Sequence, residues 1–136
     1  MEKQKRIIKP KTRGNGTLTE AQFWAKIRNS LRNASRFWAP GDVCKKEAKR
    51  PYKGSNKKQK FEYLCNHCKK GFPEKEVQKD HILPAGSLNK ASDFEGYIER
   101  LFCEKENYQI LCSTCHTAKS LKDNEAIKNA KKLKLC

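Results

Sequence analysis

Apolar residues in this chain come in short, separated patches rather than one long run. Phe23, Trp24, Ile27, Leu31, Ala34 and Trp38 recur at helical spacing, while Lys26, Arg28, Arg32 and Arg36 fall mainly elsewhere. The pattern predicts an amphipathic helix with a basic back. Thr17-Leu18-Thr19-Glu20 has capping-box spacing, so the helix is expected to begin there, with Thr17 as the cap and Glu20 reaching back. Pro40-Gly41 is expected to end it, and Asp42 to cap a short second helix through Arg50, which Pro51 stops. Two readings of the apolar stripe stand: it packs on the rest of the chain, or it is an interface for a separate partner.

Downstream the period changes. Phe61 to Leu64 reads as a short strand, Val77 to Leu83 as a second that Pro84 and Gly86 end, and Asn107 to Cys112 as a third. Gly71-Phe72-Pro73 turns the chain between the first two. Ser92-Asp93-Phe94-Glu95 is another capping box, and Tyr97, Ile98, Leu101 and Phe102 predict a helix of about ten residues despite Gly96. Ser113 opens a last helix reaching about Leu133, with only a thin stripe of Ala126, Ile127, Ala130 and Leu133. Together these segments predict a small α+β domain at residues 61–136, preceded by a helical basic extension at 17–60 and a flexible basic arm at 1–16.

Composition changes the picture in two ways. At 136 residues and a mean hydropathy of −0.96, the chain can bury only a small core. Its 31 Lys and Arg against 15 Asp and Glu leave a net charge of +16, which points to a polyanion partner. With no run of about 18 apolar residues and no evident amphipathic anchor, nucleic acid is favoured over a membrane. The arm either touches that polyanion or only solubilises the chain. The cationic run at 49–60, with Arg50, Lys53, Lys57 and Lys58, is either a phosphate-contacting loop or a solvated one.

Seven cysteines raise the question of compartment. The first residues lead into no apolar signal-peptide core, so a reducing, cytoplasmic setting is expected, where paired C-x-x-C motifs are metal ligands rather than disulfides. Cys65 and Cys68 form one pair, Cys112 and Cys115 the other, and four thiolates close a tetrahedral structural zinc site. His67 is a solvent-facing knuckle residue or, less simply, a substitute ligand. Cys44, Cys103 and Cys136 are read as free thiols.

Between the pairs lies Asp80-His81-Ile82-Leu83-Pro84, an acid beside a base at a strand end. In an ideal strand the two diverge. In-line displacement at phosphorus, however, needs a base on one side and charge stabilisation on the other, and diverging neighbours can meet that need. His81 suits activation of water; Asp80 and His116 suit a divalent cation; Asn107 can fix the loop after His81 through its amide. His116 sits about 100° around the helix from Cys115, away from zinc, with Lys119, Ser120 and Asp123 on its own face.

Cys65-x-x-Cys68, Asp80-His81-Ile82-x-Pro84, Asn107-x-Gln109-x-Leu111-Cys112 and Cys112-x-x-Cys115-His116-x-x-Lys119, in that order, resemble the HNH endonucleases of the ββα-metal superfamily in a form common among bacteriophages. The resemblance covers residues 61–122. It implies a zinc-stapled ββα-metal domain that hydrolyses phosphodiester bonds in DNA with Mg²⁺ or a similar ion, by nicking or double-strand cutting, as in homing, restriction or phage DNA packaging. His81 would be the general base, Asp80 and His116 the ligands of the catalytic cation, Asn107 the orienting residue, and Lys119 a nucleic-acid contact. DNA would be the partner, and phage packaging proteins in a bacterial host are a further partner that the resemblance allows. One departure from the minimal motif is the length of residues 82–106, which an inserted helix over Ser92 to Phe102 would explain. The rival readings are a non-catalytic zinc-dependent nucleic-acid-binding module, and an adaptor in a phage assembly that uses the Phe23 to Trp38 stripe.

Overall fold

A computed structural model of the chain describes residues 5–134. The chain is α+β. Lys11–Arg13 (β1) pairs antiparallel with Leu18–Thr19 (β2), and α1 follows at Glu20–Ser35. The cap is Thr19: its hydroxyl accepts from the Gln22 backbone at 3.2 Å, and the Gln22 side chain accepts from Thr19 N–H at 2.9 Å. The Thr17–Glu20 box expected from the sequence does not form, because both side chains are engaged elsewhere. Thr17 closes the hairpin turn onto Gly14, and Glu20 takes Arg13 and the Trp24 indole N–H. Thus residues 11–16 of the expected arm belong to a hairpin anchored to α1, while 1–4 lie outside the described residues.

Pro40 begins a helix rather than ending one. α1 stops at Ser35, and α2 runs Ala39–Ala48 with Pro40 in its first turn, where a missing N–H costs nothing. Asp42 pairs with Lys79 instead of capping. Gly41 lets α2 lie close against the sheet: a Cβ there would meet the Tyr108 ring at 3.4 Å and Lys79 at 3.3 Å. Lys49–Pro51 is then a strand, β3, not helix or loop, and pairs with Phe61–Leu64 (β4), which also pairs with Gly71–Phe72 (β5). A short 3₁₀ turn at Glu74–Glu76 leads into β6, Val77–His81, two residues shorter than expected.

The inserted segment is helical as expected, over Phe94–Leu101 (α3), but a 3₁₀ turn at Ala91–Asp93 introduces it and no side chain caps it. Asp93 instead accepts from the Asn89 backbone. Tyr108–Cys112 (β7) pairs antiparallel with β6, and Ser113–Lys134 (α4) follows without a break and packs on both strands. Among the described residues no helix is long and apolar enough to cross a membrane.

Two buried clusters hold these pieces. Trp24 from α1 meets Ala85, Leu88, Tyr97 and Leu101, with Phe23, Ile27, Leu31 and Phe102 around them. Of the two readings of the apolar stripe, packing on the rest of the chain is what occurs, although Ala34 stays exposed. Arg28 Nη1 donates to Leu88 O at 2.7 Å, Arg100 Nε to Ala85 O at 2.8 Å, and Trp38 Nε1 to Cys103 O at 2.7 Å, so the insertion is tied down along its length. The second cluster is Cys65, Leu111 and Cys112, bordered by Cys68, Phe72 and Cys115.

Candidate functional site

The cysteine cluster comes from two turns. Cys65–Cys68 links β4 to β5, with Cys65 N–H donating to Lys70 O and Lys69 in the left-handed region at φ 63°. Cys112 ends β7 and Cys115 sits in the first turn of α4. Their four sulfur atoms lie within 4.8 Å of one another. Thiolates about 2.3 Å from a tetrahedral zinc stand roughly 3.8 Å apart, so contraction of about an ångström or less closes the shell. Burial pushes the Cys65 thiol up, but backbone N–H groups of Cys112, Cys68 and His67 outweigh it and bring it down to about 6. Cys115, in contact with Cys112, is pushed up to about 12. One sulfur charged at the expense of another is how crowded thiols behave, and a divalent cation among them favours all four as thiolates. The four cysteines can therefore hold a metal ion such as zinc. His67 is exposed, its Nδ1 3.6 Å from Cys115 Sγ. Cys44 and Cys103 are half-buried and outside the cluster, burial raising the Cys44 thiol; Cys136 lies outside the described residues.

On the other side of the first turn of α4 is a cleft of about 430 Å³ lined by Asp80, His81, His116, Lys119, Ser120 and Asp123, among others. Asp80 and His81 do take opposite faces of β6. Asp80 is opposite Gln109 and bonded to it, whereas His81 is opposite Tyr108 and packs on its ring at 4.6 Å. Both reach the cleft because β6 ends at His81, leaving the two faces open at the strand's tip.

Asp80 is only 8 % exposed. Its Oδ1 lies 3.7 Å from His116 Nε2, and its Oδ2 accepts from Gln109 Nε2 at 2.9 Å and faces Lys119 Nζ at 3.4 Å. Two ligands each about 2.1 Å from one ion can be at most about 4.2 Å apart, so the Asp80 and His116 donor atoms fit a shared divalent cation. His81 Nε2 is 2.9 Å from Leu101 O. A carbonyl only accepts, so Nε2 carries the proton and Nδ1 of the neutral ring keeps a free lone pair. Asn107 grips the loop after His81: Leu83 N–H donates to its Oδ1 at 3.0 Å, and its own carbonyl accepts from Ile82 N–H at 2.8 Å.

Lys119 donates to His81 O at 3.0 Å and to Asp123 Oδ2 at 2.7 Å. Burial disfavours its charge, yet the Asp123 and Asp80 carboxylates more than compensate and raise its pKa. The other expected nucleic-acid contacts do not line this cleft. Arg50 pairs with Glu62 in the β3–β4 ladder, and Lys53, Lys57 and Lys58 are exposed in the loop beyond it. Arg32 and Lys79 line the cleft instead. Helical spacing put Arg32 on the basic back of α1, but its reach to the cleft depends on how α1 docks. Sequence reasoning gave Gln109 no role beyond its place in the Asn107–Cys112 motif and gave Asn66 none; the β6–β7 register, with Gln109 opposite Asp80, is what reveals the Gln109–Asp80 bond. The chain matches no family model, no curated protein and no solved structure.

Proposed function

We propose that the chain is a metal-dependent DNA endonuclease of the HNH type, its β6–β7–α4 unit being the ββα-metal core and its cysteine cluster a structural zinc site. The observation that carries this reading is the convergence of Asp80, His81 and His116 on one cleft, with Asn107 bonded to the loop between them. A zinc-binding module that only holds nucleic acid has no use for that set.

His81 has a free Nδ1 lone pair and a ring fixed at its other nitrogen, which suits it to take a proton from water attacking phosphorus. A divalent cation such as Mg²⁺, held by Asp80 and His116, would supply charge neutralisation at the phosphate and the leaving oxygen. Asn107 holds the His81 loop so that the base does not swing away. Lys119 keeps its positive charge against burial and adds to the cationic wall with Arg32 and Lys79. The net charge of +16 supports DNA as the substrate, bound chiefly through phosphates.

The test is cleavage of supercoiled plasmid by zinc-loaded protein in Mg²⁺, Mn²⁺ or Ni²⁺, beside a binding assay in which affinity falls steeply with salt. Nicked or linear product from wild type supports the enzyme. Salt-sensitive binding with no product in any of the three ions overturns it in favour of the non-catalytic module.

A further inference from the structure

We infer that Gln109 is a positioning residue that aims Asp80 into the cleft, and that Asn66 and Lys69 of the first cysteine turn set its orientation. The inference rests on the reading of Asp80 as a cation ligand. Three side-chain hydrogen bonds run in series. Lys69 Nζ donates to Asn66 Oδ1 at 3.2 Å, Asn66 Nδ2 to Gln109 Oε1 at 2.9 Å, and Gln109 Nε2 to Asp80 Oδ2 at 2.9 Å.

The direction of this chain follows from its ends. An ammonium can only donate and a carboxylate can only accept, so each amide between them must turn its oxygen toward Lys69 and its NH₂ toward Asp80. The turn geometry supports the arrangement: Lys69 has φ 63° directly after Cys68, and Asn66 N–H donates to Ile110 O at 2.8 Å, which holds the turn against β7. With Oδ2 engaged by Gln109, Asp80 presents Oδ1 toward His116. The turn that carries two of the zinc-type ligands thereby also orients a carboxylate of the cleft. Partners of this kind, behind a metal ligand, fix its rotamer and tune its affinity.

The test is Mn²⁺ binding by zinc-loaded protein without DNA, read by electron paramagnetic resonance, so that the readout is independent of cleavage. Gln109→Leu keeps most of the side-chain bulk and removes the amide. It should weaken Mn²⁺ binding about 10–100-fold, with zinc content and thermal midpoint unchanged. Asn66→Asp separates the relay from simple charge. Added negative charge near the cleft would tighten cation binding by Coulomb attraction alone. An acceptor-only carboxylate, however, cannot donate to Gln109 Oε1; the Gln109 amide would turn around and set its oxygen against Asp80, so the relay predicts weaker binding. In the Gln109→Leu background, Asn66→Asp should weaken binding no further. Wild-type affinity in Gln109→Leu, or equal or tighter binding in Asn66→Asp, overturns the relay. Asp80→Ala distinguishes the two possible failures. If it binds Mn²⁺ as wild type does, the ligand reading falls together with the relay; if it loses binding while Gln109→Leu keeps it, only the relay falls.

Discussion

The two buried clusters are built from different material and hold different sides of the cleft. Around Trp24, Leu88, Tyr97 and Leu101, large side chains from α1, α3 and the loop before α3 exclude water by themselves. In the other cluster Leu111 is, among the described residues, the one large apolar side chain fully inside; cysteines make up the rest of its centre, with Phe72 at the border. The first cluster presents Leu101 O to His81, the candidate base. The second carries Asn66, which reaches Asp80 through Gln109, and starts the helix that bears His116. Ordinary packing thus positions His81, the proposed base, while a cluster able to hold a metal positions Asp80 and His116, the proposed cation ligands. The α3 segment and the N-terminal extension form the wall against which His81 rests, through Leu101 O and the cluster that α1 completes.

The largest expected effect tests whether the clusters are separable. Zinc-finger peptides gain roughly 10–16 kcal/mol from metal, so chelation or Cys112→Ser should remove the single zinc expected per chain and abolish cooperative folding of its half. Amide exchange should then speed up in β4, β5 and β7 before it does in α1 and α3. Simultaneous loss of protection in all five would mean one cooperative unit and break the comparison. Full zinc stoichiometry in Cys112→Ser would remove that residue from the ligand set.

Trp24→Ala probes the other side. Emptying a buried tryptophan site costs about 3–5 kcal/mol, and the loss should appear in thermal or denaturant unfolding with zinc content unchanged. If the comparison holds, the remaining folded protein cleaves more slowly at an unaltered Mn²⁺ half-saturation, because the damage lies behind His81. A shifted half-saturation would show that α1 supports the cation side as well.

A smaller effect concerns the hairpin. Arg13 and then the Trp24 indole N–H hold the Glu20 carboxyl down to about 2 from 4.5. A depressed folded pKa gives stability that is present above about 4.5 and is lost as pH falls toward 2. Trp24 fluorescence should report that acid transition, and Glu20→Gln should remove its pH dependence. Both groups of this pair are exposed to solvent, so salt should weaken it further.

Much of the site was legible because its signals are local. Two C-x-x-C spacings, Asp80-His81, and His116 one position after Cys115 each occupy a few residues, and the geometry of a turn or one helical step is enough to read them. Contacts set by docking were not legible. Arg32 reaches the cleft only through the way α1 packs on Leu88 and Leu101, and the bond from Gln109 to Asp80 depends on the β6–β7 register, which its place in the Asn107–Cys112 motif does not reveal. The start of α1 was locally ambiguous, since Thr17 and Thr19 each have a box partner three residues on. Glu20 settled it by pairing with Arg13 across the hairpin, a contact that capping rules do not contain. Pro40 was misjudged for a related reason: the same ring that stops one helix suits the first turn of another.

The proposed division of labour between His81 as base and His116 as cation ligand is tested most directly by the Mn²⁺ dependence of plasmid cleavage in His116→Ala and His81→Ala beside wild type. Raising Mn²⁺ should bring His116→Ala back toward the wild-type rate, because the ion's weakened site can be refilled by mass action. His81→Ala should stay about 10²–10⁴-fold below wild type at every concentration, with DNA binding and zinc content unchanged. Cleavage by His81→Ala at the wild-type rate, or its recovery on raising Mn²⁺, would contradict the account.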